Sequence, residues 1–342
     1  MTLIKVKSRG TDNVSGRRNM VINGAMRVAQ RGTSSTGLGA ASGYFTLDRF
    51  RMSSGSNAGR FTMSQSTVTD LPGFANALKL DCTTADTSTD ASENLRLQTL
   101  FEGQDLQQLK KGTSSAEKFT VSFYVKGNAS ATYMVEMFDG DNSRHNTQQF
   151  AVTSSWNRIS LTFAGDTTGA FDDDNLLSLY LNFWLHAGST FTSGTYTANT
   201  WASNTNANRA VGISSFFDST NRTLEITGLQ MEVGDSASDF EHRPFTEELL
   251  LCRRYYQINY ATWYGVAQAT GYFVSSNITY VPPVRANPTV AQQSFDASGS
   301  GGRFTQTGAT SSTITGTNIY SSPTSAGGNS GYQATWSADA EL

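Results

Sequence analysis

The chain has 342 residues, 25 Lys and Arg against 28 Asp and Glu, and a formal charge of −3. That length holds two domains with separate cores. The charge excludes a strongly electrostatic nucleic-acid binder, which needs a basic face to neutralise phosphates. No apolar run approaches the roughly 20 residues of a membrane span, so no membrane insertion is expected. Residues 1–5 lack the apolar core of a signal peptide, so retention on the cytoplasmic side of the cell after synthesis is expected. Cys82 and Cys252 are too few for a disulfide framework, no Cys/His spacing suggests zinc, and both read as buried free thiols.

In chain order, residues 1–18 show no stable period. Their glycines and the Asp12-Asn13 pair predict an extended arm carrying Lys5, Lys7, Arg9, Arg17 and Arg18. Strands are predicted at residues 20–28 (interrupted by Asn23-Gly24), 44–52, 60–68, 77–82 and 94–100. Residues 103–111 form a short helical turn closed by Gly112. Period-2 stretches follow at 118–126, 133–138 and 156–163, and the dense apolar run at 176–186 reads as a central strand buried on both faces. Strands separated by Gly, Asn, Ser and Asp turns, with hardly a helix among them, predict a β-sandwich over residues 19–245.

The segment 224–257 ends one domain and begins another. Leu224, Ile226, Leu229, Met231 and Val233 alternate with polar partners, and Gly228 interrupts them as a bulge would. After His242-Arg243-Pro244-Phe245 a linker helix is expected over 246–257, capped by Thr246, with Glu247 and Glu248 at its positive end. Leu249, Leu250 and Leu251 are expected to pack the joint between domains. Residues 258–342 read as a small C-terminal β-domain with short aromatic strands at 262–267, 271–274 and 277–281 and a last strand at 331–338; 298–302 and 325–331 read as loops. Its size and polarity suggest a core completed by partner chains.

The wording of residues 228–257, GLQMEVGDSASDFEHRPFTEELLLCRRYYQ, resembles a linker of bacteriophage tail-fibre and related virion appendage proteins. The ordered set NMVINGAM, YFTLDRF, KFTVSFYVKG, WNRISLTF and LEITGLQMEVG is similar to jelly-roll carbohydrate-binding modules in the variant that phage tail proteins carry. RANPTV at 285–290 and the ending Asp339-Ala340-Glu341-Leu342 resemble the same fibre proteins, and the ending implies a natural C terminus. The resemblance implies a virion protein, trimers, and adhesion to the host surface through glycan contacts multiplied by multivalency.

The chain has no Gly-x-Ser-x-Gly elbow, phosphate-cradling Gly-Lys loop or His-Glu-x-x-His. His145, His186 and His242 are the three histidines, and His186 and His242 read as structural. Carboxylates at Glu102, Asp139, Asp141 and 172–174 are the route to glycosidase chemistry, while Asp139 and Asp141 in a loop of alternating oxygen ligands are candidates for calcium. Sugar binding needs exposed aromatic faces with polar neighbours. Trp201 in a polar loop and Trp263, Tyr264 and Tyr272 in the C-terminal domain are the candidates, with Tyr280 a further ring there; interchain packing explains them equally.

These readings converge on an all-β chain: a jelly-roll β-sandwich, a short helix and a small C-terminal β-domain. It is expected to be a non-enzymatic, cofactor-free virion protein. The expected form is a homotrimeric short tail fibre whose arm binds other virion proteins and whose tip meets a host cell-surface glycan. A head-decorating or capsid-vertex fibre and a glycan depolymerase are the alternatives.

Overall fold

A computed structural model describes residues 17–266, 272–297, 304–325 and 329–342. The expected arm therefore lies, up to residue 16, outside the described residues, as do the loop expected at 298–302 and residues 326–328 of the loop expected at 325–331, whose residues 329–331 are instead strand.

The architecture is all-β. One antiparallel sheet has the order β1 (Ser34–Leu38), β4 (Arg60–Thr67), β5 (Asn76–Thr84), β13 (Thr223–Val233), β7 (Phe119–Gly127) and β10 (Asn157–Phe163). The second runs β12 (Ala202–Ser203), β9 (Arg144–Val152), β8 (Ala131–Asp139), β11 (Leu177–Ala187), β6 (Asn94–Glu102), β3 (Arg51–Gly55) and β2 (Gly43–Tyr44). Alternate residues of both sheets meet in one jelly-roll core. There Phe123 packs edge-to-face on Phe150 and Phe183 at 5.1 and 5.0 Å, with Leu97, Val135, Leu181 and Met231 around them. Gly228 has φ +62°, and the β13–β7 register shifts between Thr227 and Gln230, so the expected bulge is present.

Two expected strands take other forms. Residues 20–28 make a turn-rich segment, because the Asn23 side chain accepts the N–H groups of Arg27 and Val28 at 2.9 Å and donates to Val28 O at 2.8 Å. That replaces a sheet ladder. The run at 44–52 is strand only at its ends, and Arg49 in its middle has φ +71°. Strand β9 was not foreseen, since its inward Asn146 and Gln148 hide the alternation.

The C-terminal domain holds two three-stranded antiparallel sheets. They are β14 (Tyr256–Val266), β19 (Asn329–Asp339) and β16 (Thr289–Asp296), and β15 (Val274–Thr279), β18 (Gly316–Pro323) and β17 (Phe304–Thr313). Ile278, Val284, Phe304, Ile319, Tyr332 and Trp336 fill the space between them, so this domain has a core of its own.

A short helix, α1 (Ser189–Thr192), lies in the loop after β11, and the linker helix α2 runs Phe245–Arg253. The linker helix starts one residue earlier than expected and ends before Tyr256, which is already strand. Pro244 occupies the cap position, and Thr246 makes no capping bond. Leu250 is 42% exposed, while Glu248 and Cys252 face inward. Glu248 accepts from Asn23 N at 2.6 Å and pairs with Arg243 at 3.3 Å, and Arg243 donates to Val21 O at 3.0 Å. The joint is thus ionic where packed leucines were expected.

The same pattern fixes the second domain onto the first. Buried Glu102 accepts from Arg254 at 3.0 and 2.6 Å, from the Tyr255 hydroxyl at 2.5 Å and from Gln104 at 2.7 Å. Arg49 lies 3.4 Å from the Tyr255 ring centroid and binds Glu341. Arg31 stacks 3.6 Å from the Tyr256 centroid and reaches Asp339 at 3.0 Å and Glu341 at 3.3 Å.

Candidate functional site

The exposed aromatic face of the C-terminal domain follows from strand alternation. In β14, Ala261 and Trp263 turn into the core, which leaves Tyr260, Thr262, Tyr264 and Val266 on the outer side. Tyr260 is 76% and Tyr264 74% exposed, whereas a ring of this size normally finds cover. The register sets Tyr264 opposite Gly331, Thr262 opposite Gln333, and Gln333 opposite Asp296. A Cβ at Gly331 would come within 3.0 Å of Tyr264 Cδ2, so the ring lies against bare backbone. A groove of about 340 Å3 runs beside it, bordered by Thr262, Trp263, Tyr264, Asp296, Gly331, Tyr332 and Gln333.

Trp263 and Tyr264 therefore border one groove from opposite faces of their strand. Trp263 is half-buried, packed edge-to-face on Phe304 at 5.6 Å, and presents only part of its indole. Tyr272 is 62% exposed but does not border this groove. Tyr280 is buried in the domain core. Trp201 belongs to the sandwich, where its ring rests on the core and its Nε1–H donates to Ala164 O at 2.6 Å. Tyr260 and Gln333 are parts of the face that the sequence reading did not single out; the β14 alternation was the available signal.

Asp139 and Asp141 do not act together. Asp139 is buried and takes the Lys111 ammonium at 2.6 Å and Asn142 N at 3.0 Å, while Asp141 accepts from Asp172 N at 3.1 Å. Lys111 also reaches Asp166 at 3.3 Å. The Lys111 ammonium thus stands between the Asp139 and Asp166 carboxylates.

The outer face of the seven-stranded sheet carries a polar row that the sequence reading missed. Arg51 donates to Gln98 at 2.5 Å, Gln98 to Asn182 at 2.7 Å, and Asn182 to Glu136 at 2.8 Å. Glu136 also receives Trp184 Nε1 at 2.7 Å and Arg209 at 2.6 and 3.0 Å. Burial alone would raise the Glu136 carboxyl, but the Arg209 guanidinium overrides it and holds the group below the usual carboxylate range. Strand β11 is buried on both sides as expected, yet only Leu179, Leu181, Phe183 and Leu185 meet the apolar core. Tyr180, Asn182 and Trp184 belong to the polar face, part of which is covered by Phe191, Tyr196 and Ile213.

No protein-family model matches the sequence, and no curated protein matches it. Among solved structures, a CBM4 structure aligns over 62% of this chain and 98% of its own, at 10% identity and a TM-score of 0.32. The enzymatically active domain of tailspike protein 4 from bacteriophage CBA120 aligns over 63% of this chain and 21% of its own, at 11% identity and 0.33. The family 11 carbohydrate-binding module of the cellulosomal cellulase Lic26A-Cel5E of Clostridium thermocellum aligns over 60% and 100%, at 14% identity and 0.28. A likeness at these identities concerns the fold alone. Among the described residues no helix is long and apolar enough to cross a membrane.

Proposed function

We propose that this protein is a non-catalytic glycan-binding appendage of a bacteriophage virion, a short tail fibre, acting through the outer face of its C-terminal domain. The observation that carries this reading is the Tyr264 ring, open to solvent on a glycine floor beside Thr262, Gln333 and Asp296. An exposed ring offers a flat apolar surface to the C–H face of a sugar, and neighbouring amide, hydroxyl and carboxylate groups meet its hydroxyls. Single contacts of this kind are weak, and display on three chains would make them lasting. The virion assignment rests on the sequence resemblance of the linker, which also makes residues 1–18 the attachment to other virion proteins.

A second reading places the same face between chains of the trimer, since Tyr260, Tyr264 and Val266 line a strand at the edge of its sheet. Tyr264→Ala separates the two when light scattering and adsorption to host cells are measured on one preparation. An intact trimer with at least tenfold weaker adsorption is expected. A trimer that dissociates assigns the ring to assembly, and unchanged adsorption removes it from the receptor face. Host polysaccharide incubated with the wild type is expected to release no new reducing ends; their appearance would establish a depolymerase.

A further inference from the structure

We propose that Asp86, Glu93 and His186 form a buried binding site for a divalent transition-metal cation, with zinc(II) as the probe that fits their donor set. Asp86 and Glu93 lie in the loop between β5 and β6, His186 lies near the end of β11, and one ligand atom from each is within 4.8 Å of the others. All three residues are buried. His186 Nε2 is 3.1 Å from Glu93 Oε2. Two ligands on a tetrahedral zinc, with bonds of about 2.0–2.2 Å, stand roughly 3.3 Å apart. Binding the ion requires the wider separations, up to 4.8 Å, to close to that spacing.

Charge balance is the stronger argument. The fold buries another carboxylate pair, Asp139 and Asp166, and places the Lys111 ammonium between them, with Arg144 on Asp166 at 2.8 Å. Asp86 and Glu93 receive no Lys or Arg ion pair among the described residues, and His186 is the one cation-capable side chain on Glu93. Two buried carboxylates facing one imidazole leave a negative charge uncompensated even with the ring protonated, an expensive arrangement in a protein interior. A divalent ion balances it.

The surroundings also orient the ligands. His186 Nδ1 is 2.8 Å from Ser215 Oγ, which accepts Phe217 N–H at 3.0 Å, so the hydroxyl is fixed by backbone. With Nδ1–H donating to Ser215, the Nε2 lone pair points at the carboxylates, as a metal ligand requires. The Phe217 ring packs edge-on against the imidazole at 5.2 Å and holds its plane. Asp86 Oδ2 accepts Ala58 N–H at 3.2 Å and Oδ1 accepts Ser88 N–H at 3.3 Å, which leave further lone pairs on the carboxylate. A histidine among the donors selects zinc or a neighbouring transition metal over calcium, which prefers six to eight oxygens.

The full chain, stripped with EDTA and returned to chelator-free buffer, is titrated with zinc(II) by calorimetry and melted with and without the metal. Wild type, Glu93→Gln and His186→Gln are compared. One zinc per chain is expected, with a rise in Tm of roughly 5 °C or more at a hundredfold excess over Kd. Glu93→Gln keeps the side-chain shape and removes one charge. It is expected to lose the zinc-dependent shift while melting no lower than zinc-free wild type. Three results overturn the proposal: wild type with no zinc-dependent shift, Glu93→Gln with undiminished zinc affinity, or a shift given by calcium and not by zinc. A Glu93→Gln protein that melts below wild type equally with and without zinc would also overturn it, because the pair would then be an ordinary histidine–carboxylate hydrogen bond.

Discussion

Glu102→Gln probes whether the two domains are held by ions. The carboxylate lies at the end of β6, is fully buried, and collects four hydrogen bonds, two of them from Arg254. A glutamine keeps the volume but turns one oxygen into an NH2 group. That group faces either Arg254 Nε with the Tyr255 hydroxyl, or Arg254 Nη2 with Gln104, so at least one donor is left facing another donor. Hydrogen bonds to charged groups contribute roughly 1.5–3 kcal/mol, and breaking a buried ion pair costs about 3–5 kcal/mol. Arg254 is 34% exposed and can recover water, which places the loss at the lower end, about 2–3 kcal/mol. Urea unfolding followed by tryptophan fluorescence reads it, with Trp156, Trp184 and Trp201 in the sandwich and Trp263 and Trp336 in the C-terminal domain. The expected result is a lower midpoint for the C-terminal domain, and a Tm about 5–10 °C lower. The exposed pair Lys110–Glu117 supplies the control, because Glu117→Gln is expected to change stability by under ~0.5 kcal/mol. A Glu102→Gln protein indistinguishable from that control would refute the ionic joint.

Two further outcomes follow from the same geometry. Leu250→Asp is expected to leave Tm within about 2 °C of wild type, because Leu250 points to solvent; a large drop would instead reveal a partner surface on that helix. Burial pushes the Asp48 carboxyl up to about 6, against hydrogen bonds from Gln30 that oppose the shift. A group with a raised folded pKa contributes stability that is fully present below its unfolded value near 3.9 and lost as pH rises through about 6. Asp48→Asn is therefore expected to gain on wild type between about pH 4 and 6, by up to about 3 kcal/mol; stability differences that do not change across that window would contradict it.

Alternation was enough to reveal most of the sandwich. Strands β5 to β8, β10, β11 and β13 announce themselves by apolar residues two apart, because each has one face on the core. The Gly228 bulge was legible for a related reason, since one extra residue breaks a strict period. The same alternation puts Tyr264 on the outer side of its strand, though the close approach of its ring to bare backbone depends on Gly331 being its cross-strand neighbour.

Burial of polar groups is where sequence reading ends. The Asn23 side chain folds residues 20–28 into a turn, and its backbone N–H is met by Glu248, 225 positions later. Glu248 looked like a helix-dipole residue and became an ion-pair partner for Arg243. Asp139 stands among loop oxygens in the sequence, and only the fold brings Lys111 to it; Asp86 and Glu93 share the β5–β6 loop, and only the fold sets His186 of β11 beside them. Local period reports which face of an element is apolar, since that is decided by neighbours along the chain. Which charge compensates which is decided by neighbours in space, and only the tertiary structure supplies those.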